Sequence, residues 1–325
     1  VPVRIGFVGT GGIAGAHFNN LEKIKDARVV ALSDVSAERA EAAARRFGGT
    51  AYTDTTKMLE AETLDAVYVC LPPHAHSNAE ILAAKKGCAL FVEKPLANNM
   101  KTAEKIAAAI EDAGVLSSVG YNWRYNDTTA RVQQALAGKK TPQPAMCYGR
   151  WLGGFPGVAW WRRLDQSGGQ LVEQATHIVD LARYLMGDIT SVSCVAALRE
   201  MDKVFEGTTA PDVTALVVTF ASGAVGHFST SSIVGGAGEV GLDLYLKDAT
   251  YKIMSNELIM ILGGGEKHSY LMHNNPYHDE DAVFVQAVKS GKGNAIKSTY
   301  ADSLKTLKVT LAANQSAKTG KVIKL

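Results

Sequence analysis

The chain has 325 residues, 46% of them hydrophobic and 20% charged, a composition that fits a folded protein of two domains. Its formal net charge of +2 at pH 7 offers no basic field for nucleic acid, and no apolar run reaches the ~18–20 residues that cross a bilayer. The cysteines Cys70, Cys88, Cys147 and Cys194 are scattered without a metal-ligand spacing, so no metal site is expected from them.

Val3–Val8 is predicted as a strand, followed by a glycine-rich turn and a helix from about Ile13. An opening strand leaves no leader peptide, and with unpaired cysteines it gives the expectation of a cytoplasmic protein with reduced thiols. Val29–Ser33 is the second strand, and the helix Ala37–Phe47 stops at Gly48-Gly49. Ala66–Leu71 is a third strand ending at Pro72-Pro73. A helix follows from about His76 to Lys86, then a strand at Ala89–Glu93, a helix at Met100–Ala113 and a strand at Leu116–Val119. Alternating strands and helices imply right-handed crossovers, hence a doubly wound α/β domain of Rossmann type with a parallel sheet.

The rhythm then changes. A helix is predicted near Asp127–Ala137, a loop at Lys139–Pro144 and a long helix at Leu171–Met186. Strands follow at Ser191–Leu198, Asp212–Phe220, Ala224–Ser231, Leu242–Leu246, Ala249–Met254 and Glu257–Leu262. The turns Ala221-Ser222-Gly223 and Lys247-Asp248 imply antiparallel hairpins. Two helices close the chain, near Tyr277–Lys289 and Tyr300–Ala317. The expected division is 1–122 for the Rossmann domain and 123–325 for an α+β domain with an open, mainly antiparallel sheet.

Gly9-Thr10-Gly11-Gly12-Ile13-Ala14 fits the GxGxx[G/A] pattern of a dinucleotide site, directly after a strand and at a helix start. Gly9 permits the tight turn, Gly11 lets a pyrophosphate approach the backbone, and Ala14 allows close helix–strand packing. Asp34 ends the second strand, where a carboxylate accepts bonds from the ribose hydroxyls and repels a 2′-phosphate. With nothing basic at Val35, Ser36 or Ala37, NAD is favoured over NADP. The competing reading makes Asp34 only a helix cap.

Lys94 follows a parallel strand at the edge where such sheets bind ligands, suited to steadying an oxyanion formed during hydride loss. Glu173, His177 and Asp180 stand at i, i+4 and i+7, one face of a continuous helix. Histidine handles protons near neutral pH, and a carboxylate one turn away can orient it. A solvated polar face is the alternative, and no third ligand supports a zinc site. His74 and His76 are placed as loop or helix-start residues rather than metal ligands. Trp160-Trp161-Arg162 is read mainly as packing near this helix.

Taken in order, the Gly9–Ala14 turn, Leu71-Pro72-Pro73-His74-Ala75-His76, Glu93-Lys94-Pro95, Gly120-Tyr121-Asn122-Trp123-Arg124-Tyr125 and Gly168–Asp180 resemble the Gfo/Idh/MocA family of glucose–fructose oxidoreductases and inositol dehydrogenases. The resemblance spans essentially the whole chain. It implies that Lys94 and His177 are catalytic, with Glu173 counted beside them, and that Arg124 and Asp180 face substrate together with Lys94, Trp161, Glu173 and His177. Cofactor contacts are expected from Gly9, Gly11, Gly12, Ile13, Asp34, Leu71, Pro72, His76, Glu93, Lys94 and Asn122. The open sheet would form a homodimer or homotetramer. One departure stands out: the family usually carries aspartate where this chain has Glu173, leaving open whether that carboxylate binds substrate or pairs with His177. The implied reaction moves hydride between a secondary alcohol of a sugar, polyol or cyclitol and NAD. The alternatives are an NAD-dependent glycosidase-type enzyme with transient oxidation and a non-enzymatic NAD(H)-responsive regulator.

Overall fold

A computed structural model of the chain describes residues 1–138, 142–236 and 238–325, so Lys139–Thr141 of the expected loop lie outside the described residues. The chain forms two compact units, one of Val1–Tyr125 with Asn275–Leu304 and one of Asn126–Asn274 with Lys305–Leu325.

The first unit alternates β1 (Val3–Val8), α1 (Gly12–Leu21), β2 (Ala27–Ser33), α2 (Ala37–Phe47), β3 (Thr50–Tyr52), α3 (Thr55–Ala61), β4 (Ala66–Val69), α4 (Asn78–Lys85), β5 (Ala89–Val92), α5 (Met100–Ala113) and β6 (Ser117–Val119). The six strands pair in the order β3-β2-β1-β4-β5-β6, all parallel. Every residue of β4 (AVYV) and β5 (ALFV) is buried, as expected for a sheet covered on both faces. β3 and α3 went unread in the sequence because three strand residues carry little pattern; Asp54 caps α3 by accepting from the Thr56 and Lys57 N–H groups. α4 begins two residues later than expected. Pro73–Ala75 forms a separate 3-10 turn, and the Glu80 carboxylate reaches back to the Ser77 N–H.

The division of the chain differs from a single cut at residue 122. A late helix, Pro276–Ser290, buries Phe284, Val285 and Ala287 among Phe7, Phe18, Tyr68 and Phe91 of the first core. Tyr68 and Phe91 stack at 4.7 Å, and Phe284 meets both rings edge-on at 5.6 and 5.5 Å.

The second unit contains α6 (Asp127–Leu136), β7 (Met146–Leu152), α7 (Leu164–Ser167), α8 (Gln170–Glu173), α9 (Thr176–Met186), β8 (Ile189–Ala197), α10 (Met201–Val204), β9 (Val213–Phe220), β10 (Val225–Ser231), β11 (Glu239–Leu246), β12 (Ala249–Met254), β13 (Glu257–Leu262) and β14 (Lys267–Leu271). After these come α11 (Pro276–Ser290), which belongs to the first unit, then α12 (Tyr300–Thr319) and β15 (Ile323–Lys324). Nine strands pair as β14-β13-β12-β11-β7-β10-β9-β8-β15, antiparallel except for β7 against β10. The Lys247-Asp248 turn closes the β11–β12 hairpin with Asp248 at φ +63°, a conformation that short polar residues tolerate. α9 lies against β7, and a Cβ at Gly149 would strike Phe228 and Ile178, so this glycine sets the close approach. Side chains alternate between faces, and the face turned away from Gly149 carries Met146, Val195, Val217 and Val225, all exposed.

Candidate active site

The β1–α1 turn is shaped to receive a phosphate-bearing ligand. Gly9 has φ +88°, and a Cβ there would collide with the Cys70 carbonyl. At Gly11 and Gly12 an added Cβ would meet nothing within 4 Å, so the approach to the helix start is open. Gly11 is the N-cap of α1 and brings no side chain to cap it, leaving the helix terminus for an anion. Asp34 ends β2 beside this turn. Its Oδ2 accepts from the Thr10 N–H and Oγ1–H, each at 3.0 Å, and its Oδ1 from the Ser36 N–H at 2.9 Å. Arg39 adds Nε at 3.1 Å and Nη2 at 2.6 Å to the same Oδ1. Burial alone would raise the carboxyl pKa; the Arg39, Ser36 and Thr10 hydrogen bonds outweigh it and bring it down to about 2. Reading only positions 35–37 missed Arg39, which reaches back five residues. The residues present fit a bound dinucleotide.

His76 is buried, with Nδ1 at 2.6 Å from Glu80 and Nε2 at 3.1 Å from the Leu71 carbonyl, so it braces the Leu71–Pro72 turn. Glu93 follows β5 and accepts from the Lys94 N–H at 3.0 Å, which fixes the backbone bearing Lys94; the Lys94–Pro95 peptide is cis. Gly120 is required beside Glu93, because a Cβ there would press on its carboxylate. Glu93 also meets Nε2 of the fully buried His17 at 3.1 Å, while Asp281 of α11 holds Nδ1 at 2.8 Å. Burial by itself would lower the His17 pKa, but Asp281 and then Glu93 hold it well above the ordinary histidine value. Asn122 is buried nearby in sequence, and Arg124 binds Asp302 at 2.7 Å and the Lys297 carbonyl at 2.5 Å. A cavity of about 440 Å³ is lined by Arg4, Ala27, Arg28 and Val29 at the amino ends of β1 and β2. Ligands of open α/β sheets bind at the carboxyl ends, the opposite edge of the sheet from this cavity.

In the second unit the continuous helix expected at Leu171–Met186 is broken. α8 ends at Glu173 and α9 starts at Thr176, since Gln174 departs to φ −112°. The Ala175 N–H reaches five residues back to Gln170, and the His177 N–H only three, to Gln174. Glu173 and His177 therefore do not share the regular i, i+4 helical face expected of them, whereas His177 and Asp180 remain one turn apart on α9. His177 is buried, its ring lying 5.9 Å from Trp151 of β7 at 20° between planes. Asp180 is buried and accepts from Thr306 Oγ1 at 2.8 Å, and Thr306 in turn accepts from Arg183. Trp161 is buried in the short turn Ala159–Arg162. Among the described residues no group of three or more His, Cys, Asp or Glu side chains is placed to hold a metal ion, and no helix is long and apolar enough to cross a membrane.

A parallel 3-2-1-4-5-6 sheet with an open glycine turn and a carboxylate at the end of β2 is the architecture of a dinucleotide-binding Rossmann unit. Residues 3–121 match the model of an oxidoreductase family with an NAD-binding Rossmann fold, and residues 129–252 match the GFO/IDH/MocA C-terminal domain. The chain belongs to the Gfo/Idh/MocA family and is an NAD-dependent enzyme of the oxidoreductase class. It is 26% identical to the myo-inositol 2-dehydrogenase of Thermotoga maritima over 99% of this chain and 98% of that one. Against the D-apiose dehydrogenase of Paraburkholderia graminis it is 31% identical over 66% of this chain and 57% of the relative. Its fold is that of an oxidoreductase from Agrobacterium radiobacter solved with NAD+, L-tartaric acid and magnesium. The TM-score is 0.87 at 18% identity, covering 100% and 98% of the two chains.

Proposed function

We propose that this enzyme reversibly oxidises a secondary alcohol of a sugar, polyol or cyclitol. The observation that carries this is the presence, in one chain of an NAD-binding oxidoreductase family, of a lysine fixed behind β5 and a buried histidine on α9. His177 takes the hydroxyl proton, and its contact with Trp151 holds the imidazole plane. Lys94 stabilises the developing oxyanion, its backbone anchored on Glu93. When bound, the nicotinamide supplies the hydride acceptor. Glu173 serves as a substrate ligand rather than a partner of His177, a role favoured by the helix break between them. Asp180 and Trp161 add substrate contacts, while Arg124, committed to Asp302 and Lys297, has a supporting part. The broad similarity to inositol and apiose dehydrogenases supports the substrate class. The exposed Met146, Val195, Val217 and Val225 on one face of the nine-stranded sheet support a homodimer or homotetramer.

Steady-state kinetics on a panel containing myo-inositol and D-apiose test the roles. His177→Ala is expected to lower kcat by ~10²- to 10⁴-fold with NADH affinity retained. Glu173→Gln is expected to raise KM without moving the acidic limb of the pH profile. A His177→Ala enzyme with full turnover removes His177 from the mechanism.

A further inference from the structure

The carboxylate of Asp34 is crowded. It accepts five hydrogen bonds, from the Thr10 N–H and hydroxyl, the Ser36 N–H, and Nε and Nη2 of Arg39. A carboxylate offers about four lone-pair sites. Ribose hydroxyls that engage Asp34 must therefore displace one of the donors already there. Two are backbone groups at the β1–α1 and β2–α2 turns, and the Thr10 hydroxyl belongs to a short side chain in the same turn. Arg39 is different: its side chain is 55% exposed, and it stands in the first turn of α2, where Ser36 caps the helix by accepting from the Arg39 N–H. It is the donor that yields. Thr10 and Ser36 keep Asp34 in place without it.

A displaced guanidinium remains tethered to α2, beside the carboxylate that receives the ribose. A bare aspartate there repels a 2′-phosphate, but Asp34 with Arg39 makes a neutral pair, and the freed fork of Arg39 matches a phosphate's oxygens. Glu38, its neighbour in the first turn of α2, is the other charge on that turn and leaves the Asp34–Arg39 bonding intact. We propose that Arg39 gives this enzyme NADP(H) as a second, weaker cofactor, by moving from Asp34 to the 2′-phosphate. The proposal rests on the reading of Asp34 as the ribose ligand.

Fluorescence titration of NADH and NADPH against the intact protein tests it without turnover. The wild type is expected to bind both, NADH more tightly. Arg39→Ala should weaken NADPH by ~10- to 100-fold, the scale of a lost charge-assisted contact, and change NADH affinity by less than about threefold. Asp34→Ala should tighten NADPH and weaken NADH, and adding Arg39→Ala should erase the NADPH gain. Added salt should weaken NADPH more than NADH in the wild type, and equally in Arg39→Ala, a comparison that does not depend on the Asp34 variants folding. Normal NADH binding with no NADPH binding, or NADPH affinity indifferent to Arg39→Ala, overturns the proposal and leaves Asp34 at the ribose. NADH affinity unchanged in Asp34→Ala removes both.

Discussion

His17 has no exposed surface and lies between the carboxylates of Asp281 and Glu93, with Asn20 donating to the other Asp281 oxygen at 2.9 Å. Glu280, also fully buried, has its carboxyl pushed well above the usual range by burial and then by the charges of Glu93 and Asp281. For both groups the folded pKa exceeds the unfolded one. Each contribution to stability is therefore full below the unfolded value, about 4.3 for glutamate and about 6.5 for histidine, and is lost as pH rises toward the folded value. Urea unfolding is expected to show stability falling from about pH 6 to about pH 9, and Glu280→Gln, which removes one of the two titrations, should flatten the fall. A wild type that gains stability over that interval contradicts a protonated His17. This cluster was not legible in the sequence, because His17 and Asp281 are 264 positions apart and neither belongs to a motif. The places of Gly9, Asp34 and Lys94 at the ends of β1, β2 and β5 were legible, because they follow from local spacing after predicted strands. Arg39 was hidden by reach rather than distance, as a long side chain folding back along its own helix.

Among the elements, those with strong periodicity or long apolar runs were foreseen within a few residues, and the short or interrupted ones were not. β7 was missed because Gly149 interrupts its apolar pattern, although this strand carries Trp151 against His177. The α8–α9 break was missed because apolar residues on both sides keep helical spacing through it, and only backbone geometry at Gln174 reveals it. α11 was foreseen as a helix, but its membership of the first unit was not, since nothing local says which core its apolar face joins. Phe284 decides that through its edge contacts with Tyr68 and Phe91. Phe284→Ala should cost ~3–5 kcal/mol, read as a lowered Tm together with weaker NADH binding, because α11 also supplies Asp281 to the His17–Glu93 cluster. A loss below ~1 kcal/mol would show that α11 is peripheral to the first core.

Across the whole molecule, the change from a parallel to a mainly antiparallel sheet was legible from strand spacing and turn residues. The family assignment then joined the two units into one enzyme class. Val195 and Val217 lie on the uncovered sheet face, where a charge should be incompatible with a second copy of the chain. Val217→Glu is expected to shift the mass measured by light scattering from oligomer to monomer with the fold intact. A wild type already monomeric at high concentration would refute the oligomer. The most direct test of the central claim is to follow NADH absorbance and product together, with NAD and a panel of polyols and sugars. NADH is expected to accumulate one-for-one with oxidised product in the wild type, and not in His177→Ala. Substrate consumed without NADH accumulation, or NADH binding with no turnover on any member of the panel, would contradict it.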